Sequence, residues 1–191
     1  RKKELDALNS RYKSNRKEFG VLYGRRRIGK SSILNEFLKG KKGILFQAKQ
    51  DNSYGNLKSF SYEVDHLLNL PDTFVFASWQ HAFKSIQEYA KNERFVLIID
   101  EYPYIVSQDS SFSSVLQEFI DHTSDNMMVI LSGSDIGFLQ KEIQNHASPL
   151  YKRRTFEMEI KKMNFMDAKE FVKMEDVESQ ANYLCLMSGY P

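Results

Sequence analysis

Apolar residues recur along this chain in two rhythms, and their succession sketches the fold. Leu5, Leu8 and Tyr12 share one face of a first helix. Residues 19–23 form a short β-type run that ends at Gly24. Ile33, Leu34, Phe37 and Leu38 return to helical spacing, and Gly40 and Gly43 bracket that helix's end. Residues 44–48 predict a strand. Leu57, Phe60, Val64, Leu67 and Leu68 mark a helix that stops before Pro71, and Trp79, Ala82, Phe83, Ile86, Tyr89 and Ala90 mark another.

Two stretches do not alternate at all. Residues 95–99 and 127–131 are continuous apolar runs, the signature of strands buried on both faces and hence of a parallel sheet. Between them, Phe112, Val115, Leu116, Phe119 and Ile120 fit i, i+3, i+4, i+7, i+8. Residues 154–160 alternate and predict a fifth strand, and 165–188 are again helical in spacing. The order α-β-α-β-α-α-β-α-β-α-β-α predicts an α/β fold with helices on both sheet faces and right-handed crossovers. Ligands of such sheets bind outside the carboxyl ends of the strands.

Composition narrows the class. At 191 residues the chain is one domain, or one domain and part of another. Its 41% hydrophobic content excludes a disordered chain. No apolar run approaches the ~18 residues of a membrane span. The basic start Arg1-Lys2-Lys3 leads into no apolar signal region. A single cysteine, Cys185, excludes an intrachain disulfide and a cysteine zinc cluster, reads as a small core residue, and suits a reducing cytoplasm. The net charge of +2 hides a segregation: residues 1–50 carry 15 basic and 4 acidic side chains. That excess points to an anionic partner near the N-terminal third, or to two mutually attracting surfaces.

The chemistry sits at the strand ends. Gly24-Arg25-Arg26-Arg27-Ile28-Gly29-Lys30-Ser31 fits G-x-x-x-x-G-K-[ST], after a predicted strand and before a predicted helix. Glycines let successive amides turn inward around phosphate, and the helix adds its positive N-terminal end. Lys30 would reach the β- and γ-phosphates, and Ser31 would offer a hydroxyl to Mg²⁺. Ser32 follows on the first helical turn and is grouped with these nucleotide-binding residues. Arg25, Arg26 and Arg27 raise the local potential, either as solvent-facing loop residues or as contacts to nucleotide or to a partner's acid. Asp100 closes the third strand, where its carboxylate can hold Mg²⁺, and Glu101 can deprotonate an attacking water. Tyr102-Pro103-Tyr104 reads as packing.

Ser132 and Ser134 end the fourth strand; either could report the γ-phosphate, and Ser134-Asp135 could equally cap a helix. Arg153 could neutralise γ-phosphate charge, within the chain or across a subunit interface. Its alternative, shared with Arg154, is a surface charge or a salt bridge to an acid such as Glu157. His66, His81, His122 and His146 have no metal-like spacing; the first two read as surface or packing residues.

These motifs together resemble the archaeal-type ATPases of the STAND/AAA-like P-loop group. Arg1-Lys2-Lys3-Glu4-Leu5 looks like the end of that family's "GREKEL" opening. Residues 24–31 are similar to its "GRRRxGKTxL" loop, with Ser31 for the usual Thr. Residues 100–104 resemble "DEFQYL", residues 131–134 "SGSS", and residues 148–153 "SPLYGR", with Lys152 in place of the glycine. Gly189-Tyr190-Pro191 resembles "GGxP".

The resemblance implies a P-loop three-layer α/β/α sandwich with a five-stranded parallel sheet, order 5-1-4-3-2, and Mg·ATP at its edge. It divides the chain into an ATPase core, 1–160, and the start of a truncated helical lid, 161–191, and places Pro191 near the adenine. It implies ATP and Mg²⁺ as ligands and Arg153 as the motif arginine. Partners would be a homo-oligomer or another protein, with nucleic acid only through a C-terminal domain that this chain lacks. Three activities fit the residues: Mg-dependent ATP hydrolysis, a nucleotide-dependent switch with very slow hydrolysis, or small-molecule phosphorylation. Glu101 and the lack of an evident acceptor site disfavour the last. ATP over GTP rests on the resemblance, since residues 164–167 lack the lysine of a guanine-reading N-K-x-D motif.

Overall fold

The computed structural model describes residues 1–68 and 74–163. Its elements are α1 (Lys2–Tyr12), β1 (Glu18–Tyr23), α2 (Lys30–Leu38), β2 (Gly43–Gln47), α3 (Ser53–Leu68), α4 (Trp79–Tyr89), β3 (Phe95–Asp100), α5 (Pro103–Gln108), α6 (Phe112–His122), β4 (Met127–Gly133), α7 (Ile136–Gln144) and β5 (Phe156–Glu159). The two continuous apolar runs become β3 and β4, and every residue of both is buried. All strand pairs are parallel. The order β2-β3-β4-β1-β5 is the expected 5-1-4-3-2 counted from the opposite edge.

Alternation along the strands sorts the core into two layers. Phe19, Val21, Leu97, Ile99, Val129 and Leu131 face one way and pack with residues of α3 to α7. Leu22, Val96, Ile98, Met128 and Ile130 face the other way, against Leu8 of α1 and Ile33, Leu34 and Phe37 of α2. Each such side chain contributes roughly 1.5–3 kcal/mol by leaving water. The same parity decides the site. Asp100, one step past Ile99, and Ser132, in register with Leu22, fall on the α2 side of the sheet.

One local expectation changes and two gain detail. The fifth strand, Phe156–Glu159, is shorter than residues 154–160, although the Thr155 and Ile160 N–H groups still meet the Phe19 and Tyr23 carbonyls on either side of it. Tyr102 and Tyr104 pack on the core as expected, and Pro103 begins the short helix α5, where its missing N–H costs nothing. Asp135, not Ser134, caps α7, its carboxylate accepting the Phe138 N–H at 2.9 Å. The expected helix over 165–188, the reading of Cys185 as core, the Pro71 helix stop and Pro191 lie outside the described residues.

Candidate functional site

The phosphate-type loop leaves β1 at Gly24 under close packing. A Cβ there would lie 2.3 Å from the Ile160 carbonyl oxygen and 2.5 Å from Ile28 Cδ1, so no side chain fits. Gly29 caps α2 at φ 88°, a conformation glycine adopts freely. Arg27 is also left-handed, at φ 62°. The Arg1 guanidinium staples the loop's base, donating to the Ile28 carbonyl at 2.6 Å and the Lys161 carbonyl at 2.9 Å. Ile28 is buried, whereas Arg25, Arg26 and Arg27 are exposed.

Lys30 begins α2 and is buried. Its Nζ folds back over the loop and donates to the carbonyls of Gly24 at 2.9 Å and Arg25 at 3.1 Å. Burial lowers its pKa, the charges of Glu101 and Asp100 oppose that, and Arg26 adds to the lowering. Ser31 Oγ donates to Asp100 Oδ2 at 2.6 Å. Asp100 is buried at the end of β3, and its other oxygen accepts the Glu101 N–H at 3.0 Å. Residues 69 positions apart in sequence thus meet because a parallel sheet brings the ends of β1 and β3 to one edge.

Glu101 turns the chain at φ 53°, a left-handed conformation that costs a non-glycine residue about 1–3 kcal/mol. Its Oε2 accepts both the N–H of Ser134, at 3.2 Å, and the Ser134 hydroxyl, at 3.0 Å. With Asp135 serving as the cap, Ser134 is released for this contact. Ser134 Oγ in turn accepts from Arg26 Nε at 3.4 Å, and Arg26 Nη2 donates to the Tyr104 hydroxyl at 2.8 Å. Ser132 behaves differently. It is fully buried, and its Oγ has no hydrogen-bond partner among the described residues.

Arg153 is not brought to this group. Its Nε and Nη2 hold both oxygens of Asp121, at 2.8 and 2.9 Å, and Nη1 donates to the Pro149 carbonyl. Two residues on, the Thr155 N–H meets the Phe19 carbonyl, so Arg153 sits at the amino edge of the sheet. The loop at the carboxyl edge lies a strand length away, about 15 Å at the usual rise. Of the two roles expected for Arg153, within the chain or across a subunit interface, this position does not bring it to the loop of its own chain. The alternative partner Glu157 is taken by Arg154, at 2.9 Å. The position was legible in principle, since a residue preceding a parallel strand must sit opposite one that follows its neighbour. Arg1 and Tyr104 carried no signal of their roles beyond their place in the motifs.

Ser31 and Asp100 offer a hydroxyl and a carboxylate side by side, hard oxygen donors of the kind a sparsely liganded Mg²⁺ uses. Among the described residues no cluster of three or more His, Cys, Asp or Glu could hold a metal. His66 and His81 are exposed, as expected. A largely apolar cavity of about 290 Å³ lies beside Gly29 and Ser32, walled by Leu5, Ile33 and Met163. Among the described residues no helix is long and apolar enough to cross a membrane.

Known proteins share both the sequence and this architecture. The chain is 29% identical over 173 residues to the uncharacterized protein MJECL04 of Methanocaldococcus jannaschii, covering 90% of this chain and 37% of that one. It is 43% identical over 42 residues to the uncharacterized ATP-binding protein MJ0423 of the same organism, covering 22% of this chain and 71% of that one. The ORC2 protein of Aeropyrum pernix, solved as ADPNP and ADP complexes, superposes with a TM-score of 0.64. That match covers 95% of this chain and 50% of the ORC2 chain at 14% identity, so it speaks for the fold alone. The chain therefore spans between about a third and a half of MJECL04 and of ORC2. Residues 1–183 match the family described as an ATPase domain predominantly from Archaea, and to that family the chain belongs.

Proposed function

We propose that this chain binds ATP with Mg²⁺ and hydrolyses it. The observation that carries the proposal is the convergence of Lys30, Ser31, Asp100 and Glu101, from two strand ends, on one edge of the sheet. The loop amides between Gly24 and Ser31, with Lys30, would hold the phosphates, Lys30 exchanging its two loop carbonyls for phosphate oxygens. Ser31 and Asp100 would hold Mg²⁺, which when bound offsets charge on the β- and γ-phosphates. Ser32 and the apolar cavity beside it would take the base.

Glu101 would accept the proton of a water whose oxygen bonds to the γ-phosphorus as the bond to the ADP oxygen breaks. Residues 1–160 form the ATPase core in this reading, and 161–191 begin a lid that includes Pro191.

One observation favours the second reading, a nucleotide-dependent switch. Both Ser134 donors hold one oxygen of Glu101, Oε2, and so fix where the carboxylate points. If that grip keeps the other carboxylate oxygen turned away from the attacking water, the site would bind ATP and hydrolyse it very slowly.

The test is a titration of ATP, ADP and GTP with Mg²⁺, followed by phosphate release and oligomer size. ATP at a hundred times its Kd stabilises the fold by about 2.7 kcal/mol, and Lys30→Ala abolishes that gain. Phosphate release by a monomer identifies the hydrolase; tight ATP binding without release, with a change in oligomer size, identifies the switch. Absence of ATP-dependent stabilisation in the unaltered chain removes both.

A further inference from the structure

We infer that Arg26 is a catalytic arginine acting within its own chain, where its guanidinium neutralises charge on the phosphoryl group in transfer. The inference rests on the hydrolysis reading and names a residue for it.

Three arginines stand in the loop, and their side chains are not equivalent. Arg25 and Arg27 make no side-chain hydrogen bond or ion pair among the described residues, whereas Arg26 reaches across the cleft to two other segments. Its Nε meets the Ser134 hydroxyl at 3.4 Å, and that hydroxyl donates to Glu101 Oε2 at 3.0 Å. The guanidinium is thus one hydroxyl away from the carboxylate assigned to the attacking water. The Tyr104 hydroxyl fixes the other side of the fork at 2.8 Å. Tyr104 lies in the first turn of α5, just after Glu101, so one local structure places both the carboxylate and the arginine's anchor. The charge of Arg26 is also felt at Lys30, which marks both cations as neighbours of the same small volume.

A merely structural role explains this arrangement poorly. Arg26 is exposed, and its contacts are to hydroxyls at the site, not to carbonyls or carboxylates that would saturate it. A guanidinium has five N–H donors. Two are engaged here, which leaves Nη1 and one proton on Nη2 for the equatorial oxygens of a transferring phosphoryl group, where charge accumulates. Arg153, the arginine that motif reading favours, spends Nε and Nη2 on Asp121 and Nη1 on the Pro149 carbonyl at the far edge of the sheet. Within one chain, Arg26 is the arginine already aimed at the reacting end.

The experiment measures single-turnover hydrolysis at saturating ATP, ATP affinity, and retention of ADP with aluminium fluoride, a mimic of the transferring phosphoryl group. Removing a charge-stabilising group of this kind lowers the rate on the order of 10²–10³-fold. Arg26→Ala should do so with ATP affinity within roughly fivefold and an unchanged melting temperature, and should lose the fluoride complex. Arg26→Lys should recover part of the rate but not the bidentate retention. Tyr104→Phe should lower the rate on the order of three- to tenfold by loosening the anchor. The rate per chain should not vary with protein concentration.

Hydrolysis by Arg26→Ala within threefold of the unaltered chain overturns the inference, as does equal loss of ATP affinity and rate. So does concentration-dependent turnover that Arg153→Ala abolishes. If the unaltered chain releases no phosphate, the hydrolysis reading fails, and the fluoride arm still decides Arg26: equal retention by both chains overturns it.

Discussion

The two edges of the sheet treat their buried charged groups, Glu18 and Lys30, in different ways. At the amino edge, the buried carboxylate is saturated. Glu18 is fully buried, yet accepts from Thr155, from Ser14 at 2.9 Å and from Arg16 at 3.2 Å, with Arg11 close by. Burial alone would raise its pKa; those hydrogen bonds and the Arg11 charge outweigh burial and hold it below the ordinary glutamate value. Arg94 laces the same edge, donating to the carbonyls of Arg16, Asp125 and Arg11. At the carboxyl edge the accounts stay open. Lys30 has only carbonyls for partners, the Ser132 hydroxyl has none among the described residues, and Arg27 and Glu101 hold left-handed backbones. Left-handed residues, Asn15 and Lys152, and buried polar atoms without a partner among the described residues, Arg94 Nε, Thr123 Oγ1 and Ser124 Oγ, also lie at the amino edge, so what sets the carboxyl edge apart is a buried cation whose hydrogen-bond partners are neutral carbonyls.

Substitutions can break that contrast. The largest effect falls on the carboxyl edge. Glu101→Gln should cut phosphate release on the order of 10²–10⁴-fold, the range of a lost general base, with ATP still bound and chemical stability unaltered. Equal release by the variant would remove the residue's assigned role. Next comes the amino edge. Glu18→Gln strips the charge from a buried cluster and should cost about 3 kcal/mol in denaturant unfolding, leaving the folded fraction's turnover unaffected. Because the folded Glu18 pKa is lowered, its contribution is present above the ordinary glutamate range and is lost as pH falls through the folded value. The variant should therefore show a flatter stability profile in acid than the unaltered chain.

Ser132→Ala removes a buried, unpartnered hydroxyl, so stability should hold or rise by up to about 1 kcal/mol. A simultaneous fall in turnover would assign Ser132 to the γ-phosphate, and unchanged turnover would leave Ser134 as the only candidate. Arg153→Ala should be the mildest, below about 1 kcal/mol, since its pair with Asp121 is partly exposed.

Much of this was legible from sequence because the relevant signals are local. The continuous runs ending at Asp100 and Ser132 announce doubly covered strands, and Gly24 to Ser31 announce a loop that only a strand and a helix can frame. What escaped depends on where chain segments arrive. Ser132 and Ser134 share a parity, and what separates them is that β4 ends at Gly133, so Ser132 stays in the sheet while Ser134 meets Glu101 beyond it. Arg153 looked like a site residue because its motif said so, while the direction of β5 puts it at the other edge. Arg26 was one of three equivalent letters until the start of α5 placed Tyr104 opposite it.

Arg1 gives the phosphate loop a mechanical neighbour. One guanidinium grips the carbonyl of Ile28, inside the loop, and the carbonyl of Lys161, just past β5. Hydrogen bonds weaken steeply when stretched, so an ångström of travel at Ile28 either snaps the clamp or drags the segment after β5 along with it. The loop and that segment are therefore two ends of one short lever, with the first residue of the chain as its pin.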